Sequence, residues 1–206
     1  MDQSSIASSI KDTTLIEKRR SQIIKASITL FKQKGFHRTT TREIAKASGF
    51  SIGTLYEYIR SKEDVLFLVY ESINNAVYIH LKRAVKKEET SSQNLINIID
   101  SYFRLMDDMQ EEVIILYQEV KSLQEDMKGT VLEKEREMVG LLKNALLSSM
   151  PYLFSNKEAE LMANNIFVQG HMWCFRRWTL HQNFTLEEYI KMQTHFFEQM
   201  IPVKQT

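Results

Sequence analysis

The chain has one cysteine, two prolines and six glycines in 206 residues, and its formal net charge is only +1. A lone Cys174 rules out an internal disulfide and a thiolate metal cluster, so a reducing cytoplasm is the expected compartment. So few prolines and glycines leave few turn-makers for a meander of short strands, whereas Met, Leu, Ile, Lys and Glu, which tolerate or favour helix, are plentiful. The expected fold class is therefore all-α. The opening MDQSSIASSIKDTT has no basic stretch followed by a sustained apolar one. No later window approaches the roughly 20 apolar residues of a membrane span, and no membrane partner is expected. Catalytic patterns are missing too: there is no Walker phosphate loop, no HExxH, no GxSxG and no cysteine pair for zinc. None of the five histidines is spaced to share a metal with another or with Cys174. The sequence thus predicts no metal, no cofactor and no enzyme.

What is present is unevenly distributed. Hydrophobic residues make up 43% of the chain, enough for a real core. The net charge conceals two opposite halves. Residues 17–62 carry eleven Lys/Arg against three Glu, a net of +8, and residues 67–206 carry fifteen Lys/Arg against nineteen Asp/Glu, a net of −4. A basic segment of this kind is either a solvated face or the footprint of a polyanion, and the motif inside it has to decide.

Helical spacing and capping residues divide that segment. Apolar positions Ile23, Ile24, Ala26, Leu30 and Phe31 recur at three- and four-residue steps from Glu17 to a C-cap at Gly35. Thr40 and Glu43 form a capping box that opens a second helix near Thr41, stopped by Ser48-Gly49. Ser51 caps a third helix over Ile52–Tyr58, and Ser61 with Asp64 opens a long fourth from about Lys62 to Val85. Counted from Thr41, a small residue (Ala45), a turn glycine (Gly49) and an apolar plug (Leu55) fall where a helix-turn-helix needs them. The third helix is dressed with Ser51, Gly53, Thr54, Tyr56 and Tyr58, groups suited to phosphates and base edges. The position of Tyr58 relative to Leu55 could equally turn it inward.

The stretch GFHRTTTREIAKASGFSIGTLYEYIRSKEDVL, residues 35–66, closely resembles the DNA-binding signature of the TetR family of bacterial regulators. Phe50 and Ile59 depart from the residues usual there, Val and Phe. The resemblance implies a homodimeric repressor of the bacterial cytoplasm and nucleoid, bound to palindromic double-stranded operator DNA and released by a small-molecule effector. Carried over by position, Thr41 and Lys62 hold phosphates at helix N-termini and Tyr56 and Tyr58 lie along the backbone. Ser51, Ile52, Gly53 and Thr54 lie nearest the major-groove floor, and Arg38, Thr40 and Arg42 are additional contacts. Lys18, Arg19 and Arg20 are either a basic arm near the minor groove or a solvated face.

Domain boundaries are expected as a disordered tail over residues 1–15, a DNA-binding domain over 16–66 and a ligand-binding and dimerisation domain over 67–206, with a polar break at 86–92. Later helices are expected at about 93–109, 111–123, 127–149, 156–182 and 186–201. The last two carry apolar stripes that suit either core or a subunit seam. By resemblance to the family's paired last helices, Ile166, Gly170, Cys174, Trp178, Tyr189, Gln193, Phe196, Phe197 and Met200 are the expected dimer interface. Tyr102, Phe103, Met106, Tyr117, Met138, Phe167 and Trp173 suit either core or an adaptable pocket, with Arg104 and Arg177 there for an anion unless nearby carboxylates satisfy them. Residues 163–196 resemble the family branch tied to fatty-acid and branched-chain acyl-CoA metabolism, which implies an acyl-CoA effector. A helical adaptor without DNA binding and an efflux regulator answering to lipophilic compounds are the alternatives.

Overall fold

The computed structural model describes residues 13–85 and 92–199, and among these it is helical and without strands. The described residues form α1 (Thr13–Lys34), α2 (Thr41–Ser48), α3 (Ile52–Tyr56), α4 (Lys62–Val85) and α5 (Ser92–Asp108), then α6 (Gln110–Glu119), α7 (Glu125–Ser149), α8 (Asn156–Phe175), α9 (Arg177–Asn183) and α10 (Leu186–Gln199). The all-α expectation holds. No helix among the described residues is long and apolar enough to cross a membrane. Most of the expected tail, residues 1–12, and most of the polar break, residues 86–91, lie outside the described residues, while α1 starts at Thr13, four residues before Glu17.

Contacts gather the chain into two compact units. One comprises residues up to Asn74 with Ile115–Leu132, and the other Asn75–Ile114 with the residues from Glu133 onward. This differs from a boundary at residue 66, because the opening turns of α4 are apolar on every side: Val65, Leu66, Phe67, Leu68, Val69 and Tyr70 are all buried. Tyr70 donates its hydroxyl to the Leu116 carbonyl, which helps to tie the 115–132 segment to the first unit.

The first unit is built on a small apolar floor. Ile23 and Phe31 of α1, Ile44 of α2, Leu55 of α3 and Ile59 are buried, and Phe36 meets Phe31 edge to face at 5.4 Å. Gly35 and Gly49 end α1 and α2 with φ of 80° and 78°, a left-handed backbone that glycine adopts without a Cβ penalty.

The second unit is centred on α5, α8 and α10. Tyr102, Phe103 and Met106 of α5 pack in one cluster with Phe167, Trp173 and Cys174 of α8 and Tyr189 of α10. Gly170 lets α8 approach α5: a Cβ there would lie 2.5 Å from Tyr102 Cε1. Buried polar tips are satisfied across the elements. Tyr102 donates to the Phe167 carbonyl at 3.0 Å, Tyr189 to the Gln169 carbonyl at 2.7 Å and Trp173 Nε1 to Asp107 Oδ1 at 2.7 Å.

The helix expected over 156–182 is two helices, with a break at Arg176 where φ is −101° and ψ is 17°. Neither glycine nor proline marks the break in the sequence. Its packing correlate is the Trp173–His181 stack, with ring centroids 4.0 Å apart. In an unbroken helix, residues eight apart would be separated by about 12 Å along the axis.

Candidate nucleic-acid interface

The sequence locates the reader because its local geometry is fixed by short-range caps. Thr40 is the N-cap of α2: the Glu43 amide donates to Thr40 Oγ1 at 3.3 Å while the Thr40 amide donates to Glu43 Oε2 at 2.9 Å. Lys34 pairs with the same carboxylate. Bonds from Lys34 and from the Thr40 side chain and amide hold Glu43 down to about 2. The box thus stays charged, and the start of α2 stays capped, at any ordinary pH. Ser51 caps α3 by accepting the Thr54 amide at 3.0 Å, and its hydroxyl also lies 3.0 Å from Thr54 Oγ1. At α4, the Asp64 amide donates to Ser61 Oγ at 3.1 Å and the Arg60 amide to Asp64 Oδ2 at 2.7 Å.

These caps leave an outward face. Arg38, Thr40, Arg42, Ser51, Ile52 and Gly53 are exposed, Thr41 and Thr54 are half-buried, and Tyr56 is 50% exposed. The Tyr56 hydroxyl lies 3.3 Å from Thr41 Oγ1, so the start of α2 and the end of α3 present their hydroxyls together. An amide-rich helix start beside paired hydroxyls, in a segment of +8, has the donors and field that a phosphate backbone requires.

Two expected contacts are corrected. Tyr58 is only 3% exposed and lies against Phe50 in a stack with centroids 6.3 Å apart, so it is a core aromatic and not a backbone contact. The short α3 ends at Tyr56, and the turn that follows rotates Tyr58 inward. Arg20 does not belong to an exposed basic arm either. It is buried; desolvation lowers its pKa, opposed by Glu71 and Asp64. Lys62 is half-buried and already engaged: its ammonium donates to the Phe36 carbonyl at 3.1 Å and sits 4.3 Å from the Phe36 ring centroid. It fastens the turn after α1 as well as standing at the start of α4.

Sequence reasoning missed the Lys34–Glu43 pair, whose nine-residue separation has no local signal, and the packing of Arg19 over the Phe50 ring at 5.1 Å. The departure from Val at position 50 was the available clue to the second.

In the second unit, Tyr102, Phe103, Met106, Met138, Phe167 and Trp173 are buried in a single cluster, with Tyr102 and Phe167 stacked at 5.8 Å. The other expected pocket residues stand elsewhere. Arg104 is held at the surface by Asp100 and Glu187, Arg177 pairs with Glu111, and Tyr117 is 48% exposed in the first unit. Nearby carboxylates satisfy both arginines, so neither is left seeking a ligand anion.

The expected seam also divides. Ile166, Gly170, Cys174, Tyr189 and Phe197 face the chain's own core, Gln193 is half-buried, and Met200 lies outside the described residues. Cys174 donates its thiol to the Met106 carbonyl at 3.3 Å, and burial pushes the thiol up to about 12. Among the described seam residues, only Trp178 and Phe196, 65% and 55% exposed, point outward. The outward apolar stripe of α8 is a different one, Leu161, Val168 and Phe175, at seven-residue intervals.

A helix-turn-helix of this build at the head of an all-helical chain defines a class of DNA-binding regulators. Residues 23–69 match the family model described as bacterial regulatory proteins, tetR family. The chain is 26% identical over 195 residues to the HTH-type transcriptional regulator HbdR of Aromatoleum sp. (strain CIB), covering 93% of this chain and 85% of the relative. It is 23% identical over 125 residues to the fatty acid metabolism regulator protein of Bacillus subtilis (strain 168), covering 61% and 64%. A tetR-family regulatory protein from Rhodococcus RHA1 shares the fold with a TM-score of 0.77 at 19% identity over 91% of this chain and 99% of that one. AibR, solved with isovaleryl coenzyme A and operator DNA, does so with 0.71 at 18% over 86% and 97%. Residues 23–69 thus carry the TetR-type DNA-binding segment, and the chain is similar along most of its length to transcriptional regulators of that family; the curated relatives named here are regulators, not enzymes.

Proposed function

We propose that the protein is a ligand-responsive repressor that grips palindromic operator DNA as a homodimer and releases it when an acyl-CoA or related anionic, apolar effector binds. The observation that carries the DNA part is the exposed hydroxyl pair of Thr41 and Tyr56 at the capped start of α2. Thr41, Tyr56 and Lys62 take phosphates in this reading, with Ser51, Ile52, Gly53 and Thr54 toward the groove and Arg38, Thr40 and Arg42 flanking.

Two readers related by a two-fold axis would address half-sites about one helical turn apart. The outward stripe of Leu161, Val168 and Phe175, with Trp178 on α9 and Met192 and Phe196 on α10, offers a face whose burial against its copy would favour that pairing. The effector class draws support from the fatty acid metabolism regulator among the relatives and from the isovaleryl coenzyme A held by AibR. Release requires only that the ligand bind better to a dimer whose readers are misspaced for the operator.

Tyr56→Ala is expected to abolish the gel shift of the protein's own upstream DNA while leaving the dimer intact by light scattering. Unchanged DNA affinity in that variant overturns the reading. Acyl-CoAs of graded chain length, added to the same complex, test the effector: no release at any length removes it.

A further inference from the structure

Within the second unit, the last turns of α4 and the first half of α5 enclose a cleft of about 250 Å³. His80, Arg83 and Ala84 line it from α4, and Asn94, Asn97 and Ser101 from α5, each set at the three- and four-residue steps that share one helix face. Asn is a poor helix former and its amide is costly to bury unless bonded, whereas aliphatic side chains would simply close such a crossing. Asn94 is buried there and already has a partner within the protein.

The lining is rich in donors. Among the described residues it carries the Arg83 guanidinium, two side-chain amides and a hydroxyl, and no carboxylate. His80 Nε2 lies 2.7 Å from Ser101 Oγ. When the imidazole donates through Nε2, the serine proton is left for a further acceptor. Ala84 and Ile98 add a small apolar wall.

We propose that this cleft binds the oxyanion, carboxylate or phosphate, of a small effector, with Arg83 as its charged partner and Asn97 and Ser101 as its neutral donors. Its volume falls below the usual range for drug-sized ligands, so it takes a short-chain acid or the phosphate end of a larger molecule. Binding itself is independent of the DNA reading; only its regulatory consequence rests on the ligand-responsive function proposed above. The helix bordering the cleft, α4, begins at Lys62 in the DNA-reading unit, which gives a bound anion a continuous element through which to act.

Isothermal titration of the full-length protein with inorganic phosphate, butyrate and coenzyme A, each separately, tests the site. Saturable binding of at least one is expected. Butyrate alone identifies a carboxylate ligand, and phosphate with coenzyme A a phosphate ligand. Arg83→Gln, which removes a charge-assisted bond, should weaken that binding by about tenfold or more, and Asn97→Leu should abolish it by filling the cleft. Both side chains are exposed, so both variants should keep wild-type helicity and ligand-free affinity for the upstream DNA. No saturable binding of any probe, or unchanged binding in both variants, overturns the proposal. Binding that leaves DNA affinity unaltered upholds the site and removes its regulatory role, and a wild-type protein that titrates but does not bind the upstream DNA counts against the repressor reading alone.

Discussion

The residues that the sequence marks for function in the first unit lie mostly on its surface, and those marked in the second lie mostly inside. Around α2 and α3, a floor of Ile44, Leu55 and Ile59 supports exposed Arg42, Ser51 and Tyr56. In the second unit, Tyr102, Phe167 and Trp173, the aromatics that suggested a pocket, hold α5 against α8. The proposed contacts and the residues that hold the fold are therefore different side chains in one unit, whereas in the other the residues marked for a ligand are the ones that hold the fold. Substitution in the reader should be able to remove DNA binding without loss of stability, whereas substitution among the marked residues of the second unit should act first on stability.

The strongest test of that contrast is Tyr102→Ala. It leaves a cavity beside Gly170 and removes the bond to the Phe167 carbonyl, so a loss of about 3–5 kcal/mol is expected in urea unfolding. A variant as stable as the wild type would mean that the cluster is an adaptable pocket after all. A smaller effect comes from His171, which is buried against Phe167 with ring centroids 4.4 Å apart and pushed down to about 4 by desolvation. Its unfolded value is near 6.5, so the unfolded chain takes up the proton first. Stability from this group is complete above that pH and declines as pH falls toward 4. The loss should be about 2 kcal/mol between pH 7.5 and 5, measured by denaturation and absent in His171→Phe. The smallest effect is expected in the reader itself: Thr40→Ala removes one cap and should cost about 1 kcal/mol while weakening DNA binding by loosening the start of α2. Calorimetry alongside a gel shift checks both halves of that statement.

The same contrast explains how far the sequence could be read. Caps, positive-φ glycines and plugs act over three to five residues, so Thr40–Glu43, Gly49 and Ser51 disclosed α2 and α3 nearly to the residue. Tyr58 lies two residues beyond the point where α3 stops, and its direction depends on that stop. On α8, periodicity identified the helix but not the face, because two apolar stripes share it. Ala163, Ile166 and Gly170 turn inward while Leu161, Val168 and Phe175 turn outward, and both sets obey helical spacing. Choosing between them requires knowing where α5 lies, and the contact of Gly170 with Tyr102 joins positions far apart in sequence. Arg104 and Glu187 were likewise unpaired on paper and are bonded in the fold.

The single cysteine has a practical consequence. Cys174 is fully buried, its thiol is engaged by a backbone carbonyl, and little thiolate forms near neutrality. The native chain is thus close to silent toward maleimides, disulfide exchange and mild oxidants while folded. A cysteine introduced at an outward position such as Tyr152, which is 96% exposed and outside the proposed dimer face, would be the one readily labelled thiol among the described residues, so spectroscopic probes and cross-linkers can be placed without first removing the residue that nature left in the core.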